Sequence, residues 1–94
     1  MQNQDRNELL GKVSAGIEAE RFLESGLGKY IVARAEQERD GAIEKFKTVP
    51  PTEAVTIREL QNTIWRAESI QSWIAEVIQE GFNAEFELKE RERS

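Results

Sequence analysis

Apolar residues recur every three or four positions along most of the chain, and no segment alternates strictly between apolar and polar residues. This spacing places apolar side chains on one side of an α-helix and predicts an all-α fold. Three segments carry the pattern, which predicts helices over about 6–24, 26–47 and 53–80. Residues 83–94 are mostly charged, and we expect them to form a tail that either continues the third helix or frays.

Two breaks separate the predicted helices. Ser25 can cap a new helix, because its hydroxyl oxygen can accept from a free amide of the first turn. A single helix that runs through the neighbouring glycines is the alternative. Pro50 and Pro51 end the second helix, since neither residue donates a backbone hydrogen bond. The short connection predicts an antiparallel hairpin of two long helices, with the shorter first helix packed on it.

The first helix is the weakest of the three by its sequence. Gly11 and Gly16 each cost a helix about 1 kcal/mol relative to alanine. Leu10, Val13 and Ile17 fall on one face, which we expect to be the buried one. That face needs an apolar surface on the hairpin.

The third helix carries two apolar surfaces. One is a stripe that we expect to pack on the second helix, and antiparallel pairing places Gln71 of this stripe near Val32. The other is a cluster of Ile70, Trp73 and Val77 to one side of the stripe. Either the first helix covers this cluster, or the cluster is an interface with another subunit or protein, where tryptophan is over-represented. The apolar residues of the stripe are Ile57, Leu60, Ile64, Ala67, Ile74, Ile78 and Phe82.

Two polar residues, Gln71 and Arg39, and the second tryptophan, Trp65, are further candidates for a functional role. Gln71 either bonds to a backbone group in the core or pairs with its counterpart in a symmetric oligomer, where such a residue can fix the register. Arg39 lies on the apolar face of the second helix, and we expect its head to reach Glu36 or the partner helix. Trp65 points away from the stripe and is a candidate contact residue, unless the first helix or the tail covers it.

The composition limits the catalytic groups, metal ligands and partners that the chain can have. The 94 residues include no cysteine and no histidine, so thiol nucleophiles, thiolate metal ligands and the commonest general base are absent. We therefore expect neither enzyme activity nor a cofactor. The net charge of −5 argues against non-specific nucleic-acid binding, and no apolar run is long enough for a membrane span. Because only 38% of residues are hydrophobic, the core should be thin, which favours a homo-oligomer.

Two stretches, joined by the proline break, suggest a family. GKYIVARAEQERDGAIEKF and IRELQNTIWRAESIQSWIAEVIQEG together resemble a group of small helical proteins of tailed bacteriophages and prophages, encoded near head and packaging genes. The resemblance covers about residues 19–85, and its most distinctive part is RELQN at 58–62 followed by RAE at 66–68. Some relatives have proline after the serine that matches Ser25. Gly26 differs here, which leaves the start of the second helix open.

The resemblance implies a helical interaction or assembly protein that acts as a homo-oligomer in virion head morphogenesis. It also implies other phage structural proteins as partners, and the cytoplasm of the bacterial host or the virion as the location. It brings no catalytic residue. The alternative is a small acidic regulator that binds and inhibits a host or phage protein, because acidic proteins can occupy basic surfaces through charge complementarity.

Overall fold

The structure is a computed structural model that describes residues 2–93, with side chains from residue 4 onward. Three helices form almost all of this part: α1 (Gln2–Glu24), α2 (Gly26–Thr48) and α3 (Ala54–Arg93). The described residues contain no strand. The predicted all-α fold is therefore confirmed, and so is the hairpin of α2 and α3 with α1 packed on it. The prediction that the first helix is shorter than the second is wrong, because α1 and α2 have 23 residues each.

Helix α2 lies antiparallel along the amino-terminal half of α3. Arg66 Nη2 donates to Glu38 Oε2 at 3.4 Å, while Val32 and Gln71 line one cavity. Positions therefore rise along one helix as they fall along the other. The pairing of Val32 with Gln71 that the sequence predicts across the proline break is confirmed.

Ser25 alone separates α1 from α2. Its Oγ accepts from the Gly28 amide at 3.0 Å and donates to the Phe22 carbonyl oxygen at 2.6 Å. The backbone at Ser25 is extended, with φ −72° and ψ 158°, as a helix cap requires. A Cβ on Gly28 would overlap the Phe22 carbonyl oxygen, so glycine is needed where the chain changes direction. Helix α2 starts at Gly26, and the alternative of one continuous helix is wrong.

Helix α3 is longer than the sequence predicts. It continues to Arg93 instead of ending near Glu80, and Gly81 lies in its interior. Of the two alternatives for residues 83–94, continuation of the third helix is therefore confirmed as far as the structure describes the segment, and Ser94 lies outside the described residues.

Ion pairs hold the charged end of α3. Lys89 lies 3.1 Å from Glu85 and Arg91 lies 2.9 Å from Glu87, both at the four-residue spacing that supports a helix. Arg91 also binds Asp5 of α1 at 2.6 Å. Its hydrogen bonds to Asp5 and then to Glu87 raise the pKa of the guanidinium, which stays charged at every accessible pH. These contacts join the start of α1 to the end of α3, so the two helices are antiparallel.

Helix α1 buries a different face from the predicted one. Gly16 is buried and Val13 half-buried, whereas Leu10 and Ile17 are each 44% exposed. The cause is the crossing with α3, where a Cβ built on Gly16 would lie only 3.1 Å from the Gly81 Cα. Two helix backbones can approach this closely only where neither carries a side chain. The close approach turns the Gly16 side of α1 inward.

Small residues dominate the buried positions. No large side chain in the described part is fully buried. Where alanine and glycine form the contacts, helix axes come close, but little apolar area leaves water. The core is therefore as thin as the composition predicts. The buried residues are Leu9, Gly16, Gly28, Ala35, Ala42, Ala67, Gly81 and Ala84.

The helix crossing predicts opposite effects for two glycine substitutions. In Gly81→Ala, the new Cβ would lie 3.0 Å from both the Gly16 Cα and the Lys12 carbonyl oxygen, so α1 has to move away. We expect the free energy of unfolding to fall by about 1–2 kcal/mol, as for other overpacked sites. Urea denaturation followed by circular dichroism measures this.

Gly41→Ala is the matched control, because a Cβ on Gly41 meets nothing within 4 Å. This variant should gain about 0.5–1 kcal/mol from helix propensity. If both variants gained stability equally, the close approach of α1 and α3 would be wrong.

Candidate interaction face

One side of α3 carries a row of residues that no helix of the chain covers over its full length. The members follow one another at intervals of three or four, which keeps them within about 80° of arc. Ile64 and Gln71 are half-buried, and the other members are exposed. We call this row the open stripe. It consists of Gln61, Ile64, Glu68, Gln71, Ala75, Gln79, Phe82 and Phe86.

At its amino-terminal half the open stripe borders a groove between α2 and α3. The groove has a volume of about 610 Å³, and Ile43 and Phe46 line it from α2. Trp65 lines it from α3, with 68% of its surface exposed. Neither α1 nor the end of α3 covers this tryptophan. Trp65 therefore remains a candidate contact residue, now as one wall of an apolar groove.

At the middle of the open stripe lies a cavity of about 360 Å³ around Gln71. Leu23 of α1 and Val32 of α2 line it with Ile74 and Ile78 of α3. Gln71 Nε2 is buried and has no hydrogen-bond partner among the described residues. Such a group costs about 1–3 kcal/mol, so native proteins seldom leave it unpaired. The predicted bond to a backbone group is not made by Nε2, while pairing within an oligomer stays a prediction.

Two phenylalanines project from the carboxyl-terminal half of the open stripe. Phe82 is 50% exposed and Phe86 is 65% exposed. Phe82 shares a small cleft with Ile17 of α1. The prediction that Phe82 packs on α2 is wrong, because α2 starts at Gly26, beside the middle of α3, and does not extend that far.

The predicted cluster of Ile70, Trp73 and Val77 divides into two parts. Ile70 and Val77 are half-buried, and a Cβ on Gly16 would lie 3.4 Å from the Val77 carbonyl oxygen. Helix α1 thus covers the Val77 side of α3, as one of the two alternatives predicts. Trp73 stays 63% exposed and points away from the open stripe, roughly 160° around the helix.

Arg39 pairs with its sequence neighbour. Its Nε donates to Asp40 Oδ1 at 3.2 Å, so the expected contact with Glu36 or the partner helix is wrong. Glu38 makes the link between the helices instead, because it lies 3.4 Å from Arg66. Helical geometry explains the difference, since Glu38 sits at the edge of the contact between α2 and α3.

Charge is unevenly distributed around α3. Glu68 is the only charged member of the open stripe, although 33% of the chain is charged. Another side of α3, roughly 100–140° around the helix from the centre of the open stripe, carries Arg58, Glu76, Glu80 and Glu87. Because charged residues are depleted from the cores of protein interfaces, the open stripe is the side of α3 suited to a large contact.

The unpaired Gln71 amide predicts a gain in stability on substitution. In the single chain, Gln71→Leu removes the buried, unsatisfied donor at nearly constant volume, so at concentrations low enough to keep the chain monomeric it should raise the free energy of unfolding by about 1–2 kcal/mol. Gln79→Leu is the control, because Gln79 is exposed and its Nε2 donates to Asn83 Oδ1 at 3.0 Å. We expect less than about 0.5 kcal/mol there. Urea denaturation of both variants tests this, and a loss of stability in Gln71→Leu would contradict it.

Neither metal nor membrane features add a second site within residues 2–93. No three acidic side chains there are arranged to hold a metal ion. The helices of that range lack the length and apolar character that crossing a membrane requires.

Comparisons with protein-family models, curated proteins and solved structures found no match for the chain. The candidate interaction face therefore rests on the geometry of this chain alone.

Proposed function

We propose that this protein is a phage-derived helical interaction and assembly protein that works as a homo-oligomer in virion head morphogenesis. The observation that carries the proposal is the uncovered apolar surface. In the part of the chain that the structure describes, eleven large hydrophobic residues are at least 38% exposed, among them Phe46, Trp65 and Phe86. Three of the eleven, Ile43, Phe46 and Trp65, line one groove, and contiguous apolar surface of this kind is typical of interaction proteins.

The sequence resemblance supplies the phage context. The RELQN and RAE segments that carry it lie on α3, at and next to the groove that Trp65 lines. The segments with the strongest likeness are thus near the surface available for contacts. This supports an interaction role, with head or packaging proteins as partners.

An acidic regulator is the second candidate, and the charge of α3 favours it. The net charge is −5, and Glu76, Glu80 and Glu87 lie together on a side of α3 away from the open stripe. A protein with a basic surface would meet complementary charge there. Such a regulator would use a different side of the helix from an assembly protein.

Affinity purification from infected cells distinguishes the two functions. A tagged chain should copurify with several head or packaging proteins if it acts in assembly. One stoichiometric host protein, lost in Glu76→Gln/Glu80→Gln/Glu87→Gln, would overturn the assembly proposal in favour of the regulator. Val55→Ser is the control, since Val55 is exposed far from both surfaces.

The homo-oligomer part predicts a mass above that of one chain. Light scattering of the purified protein at micromolar concentration should give a multiple of 10.8 kDa. The mass should fall on dilution, because subunit association depends on concentration. A single-chain mass over the whole range would contradict the homo-oligomer.

A further inference from the structure

The single chain exposes more surface than a folded monomer of its mass. Its accessible surface is 7400 Å². A compact monomer of 10.8 kDa is expected to expose roughly 5,500 Å². The difference between these two areas is roughly 1,900 Å² per chain, whereas homodimers that fold together bury at least about 1,000 Å² per partner. The excess lies within the range of about 1,000–2,500 Å² per partner that such homodimers bury, so one second copy can cover it.

The shape of the chain also indicates that the single chain leaves more surface exposed than a compact monomer does. The radius of gyration is 19.0 Å, against roughly 12 Å for a compact chain of this length. The extents are 61 × 29 × 18 Å, so the fold is elongated. Helix α2 pairs with the first half of α3 and α1 with the second half, so each cross-section holds only two helices. Stable domains usually place a second layer of secondary structure on the apolar face of the first.

The open stripe is symmetric about the middle of α3. That helix runs from Ala54 to Arg93, so its midpoint lies between positions 73 and 74. The stripe residues pair around this midpoint as 61 with 86, 64 with 82, 68 with 79, and 71 with 75. A two-fold axis perpendicular to α3 at this point would therefore place each member of the stripe opposite another member.

We propose that two copies of this chain pack their α3 helices antiparallel along the open stripe, around a two-fold axis between positions 71 and 75. This inference rests on the homo-oligomer proposed above and specifies its interface. The self-complementary surface is the type that a two-fold dimer requires, since each patch meets its own copy.

Under this symmetry, the exposed phenylalanines of one chain lie at the apolar groove of the other. Phe82 of the partner subunit lies opposite Ile64, and the partner's Phe86 lies opposite Gln61. Both Ile64 and Gln61 line the groove of about 610 Å³ whose other walls include Phe46 and Trp65. The two half-exposed phenylalanines of each chain thus enter the open groove of the other. Aromatic anchors in a pocket are the usual source of binding energy in an interface.

The same symmetry gives Gln71 a partner. Each Gln71 lies opposite the partner's Ala75, a small residue that leaves room for the longer side chain. The two Gln71 residues are about 6 Å apart along the helix direction, which is within reach of their amides. The buried Nε2 can then donate across the axis. A polar pair at one point of an apolar seam fixes its register.

The dimer also completes the cross-section of the fold. Beyond the axis in each direction, α3 and α1 of one chain lie beside α3 and α2 of the other. Each cross-section then holds four helices in place of two. Glu68, the one charged stripe residue, lies opposite the partner's Gln79, whose amide can donate to the carboxylate.

Spin-label distances test the geometry. The chain has no cysteine, so Ser72→Cys, Val55→Cys and Glu92→Cys each introduce a single labelling site. In the antiparallel dimer, pulsed electron resonance should give a distance of about 20 Å between Ser72→Cys labels, and of about 55 Å for each of the two other variants. Similar short distances at all three positions, as in a parallel dimer, would overturn the proposal.

Substitutions test the interface with a matched control. Phe82→Ala/Phe86→Ala should raise the dimer dissociation constant about 100-fold. Helix content by circular dichroism should not change, because both side chains are at least half exposed in the single chain. Trp73→Ala removes an aromatic residue of similar exposure from the opposite side and should change the constant less than about threefold. If Trp73→Ala dissociates the dimer and the phenylalanine variant does not, the interface is wrong.

Failure of this inference differs from failure of the proposed function. A wild-type chain that is monomeric by light scattering overturns both the homo-oligomer and this interface. An oligomer with other label distances, or one that tolerates loss of both phenylalanines, overturns only the interface. A monomeric chain that binds a different protein through Phe82 also overturns the proposed interface.

Discussion

The close contact between α1 and α3 at Gly16 and Gly81 determines much of the remaining structure. Because both residues lack a Cβ, the two backbones meet at van der Waals distance, and the larger apolar side chains of α1 turn to either side. Ile17 then lies beside Phe82 at the surface of the fold instead of in its core. Small residues give this fold close helix contacts, but they leave its large apolar residues uncovered.

Helix α3 binds its two neighbours on different sides, and this explains the break at Ser25. Its contact with α2 centres on Leu60 and Ala67, whereas Gly81 and Ala84 face α1. The second pair is rotated by roughly 80° around the helix. A single straight helix cannot follow both faces, so the chain changes direction where the hydroxyl of Ser25 caps α2. The cavity around Gln71 lies at this change of partner.

The regular patterns of the sequence predict the helices, the hairpin and its register, because three-to-four spacing and two prolines leave few alternatives. The sequence is less informative about glycine. By helix propensity glycine is only a cost, although Gly16 and Gly81 serve a helix crossing that only the folded chain reveals. For the charged end of α3, composition leaves helix and frayed tail open, whereas glutamates that precede cations by four residues favour the helix. The open stripe was missed, since periodicity cannot show where α2 stops covering α3.

The distribution of charge decides which partner each side of α3 can accept. A basic protein would find one carboxylate on the open stripe, that of Glu68, and would have to bury cations against Ile64 and Phe82. Removing such charges from water without partners costs more free energy than the apolar contact provides. A second copy brings apolar residues and amides to the same surface and keeps its carboxylates, including Glu76 and Glu80, in water. The proposed self-association and the proposed binding of a basic partner would therefore use different sides of one helix, so neither would block the other.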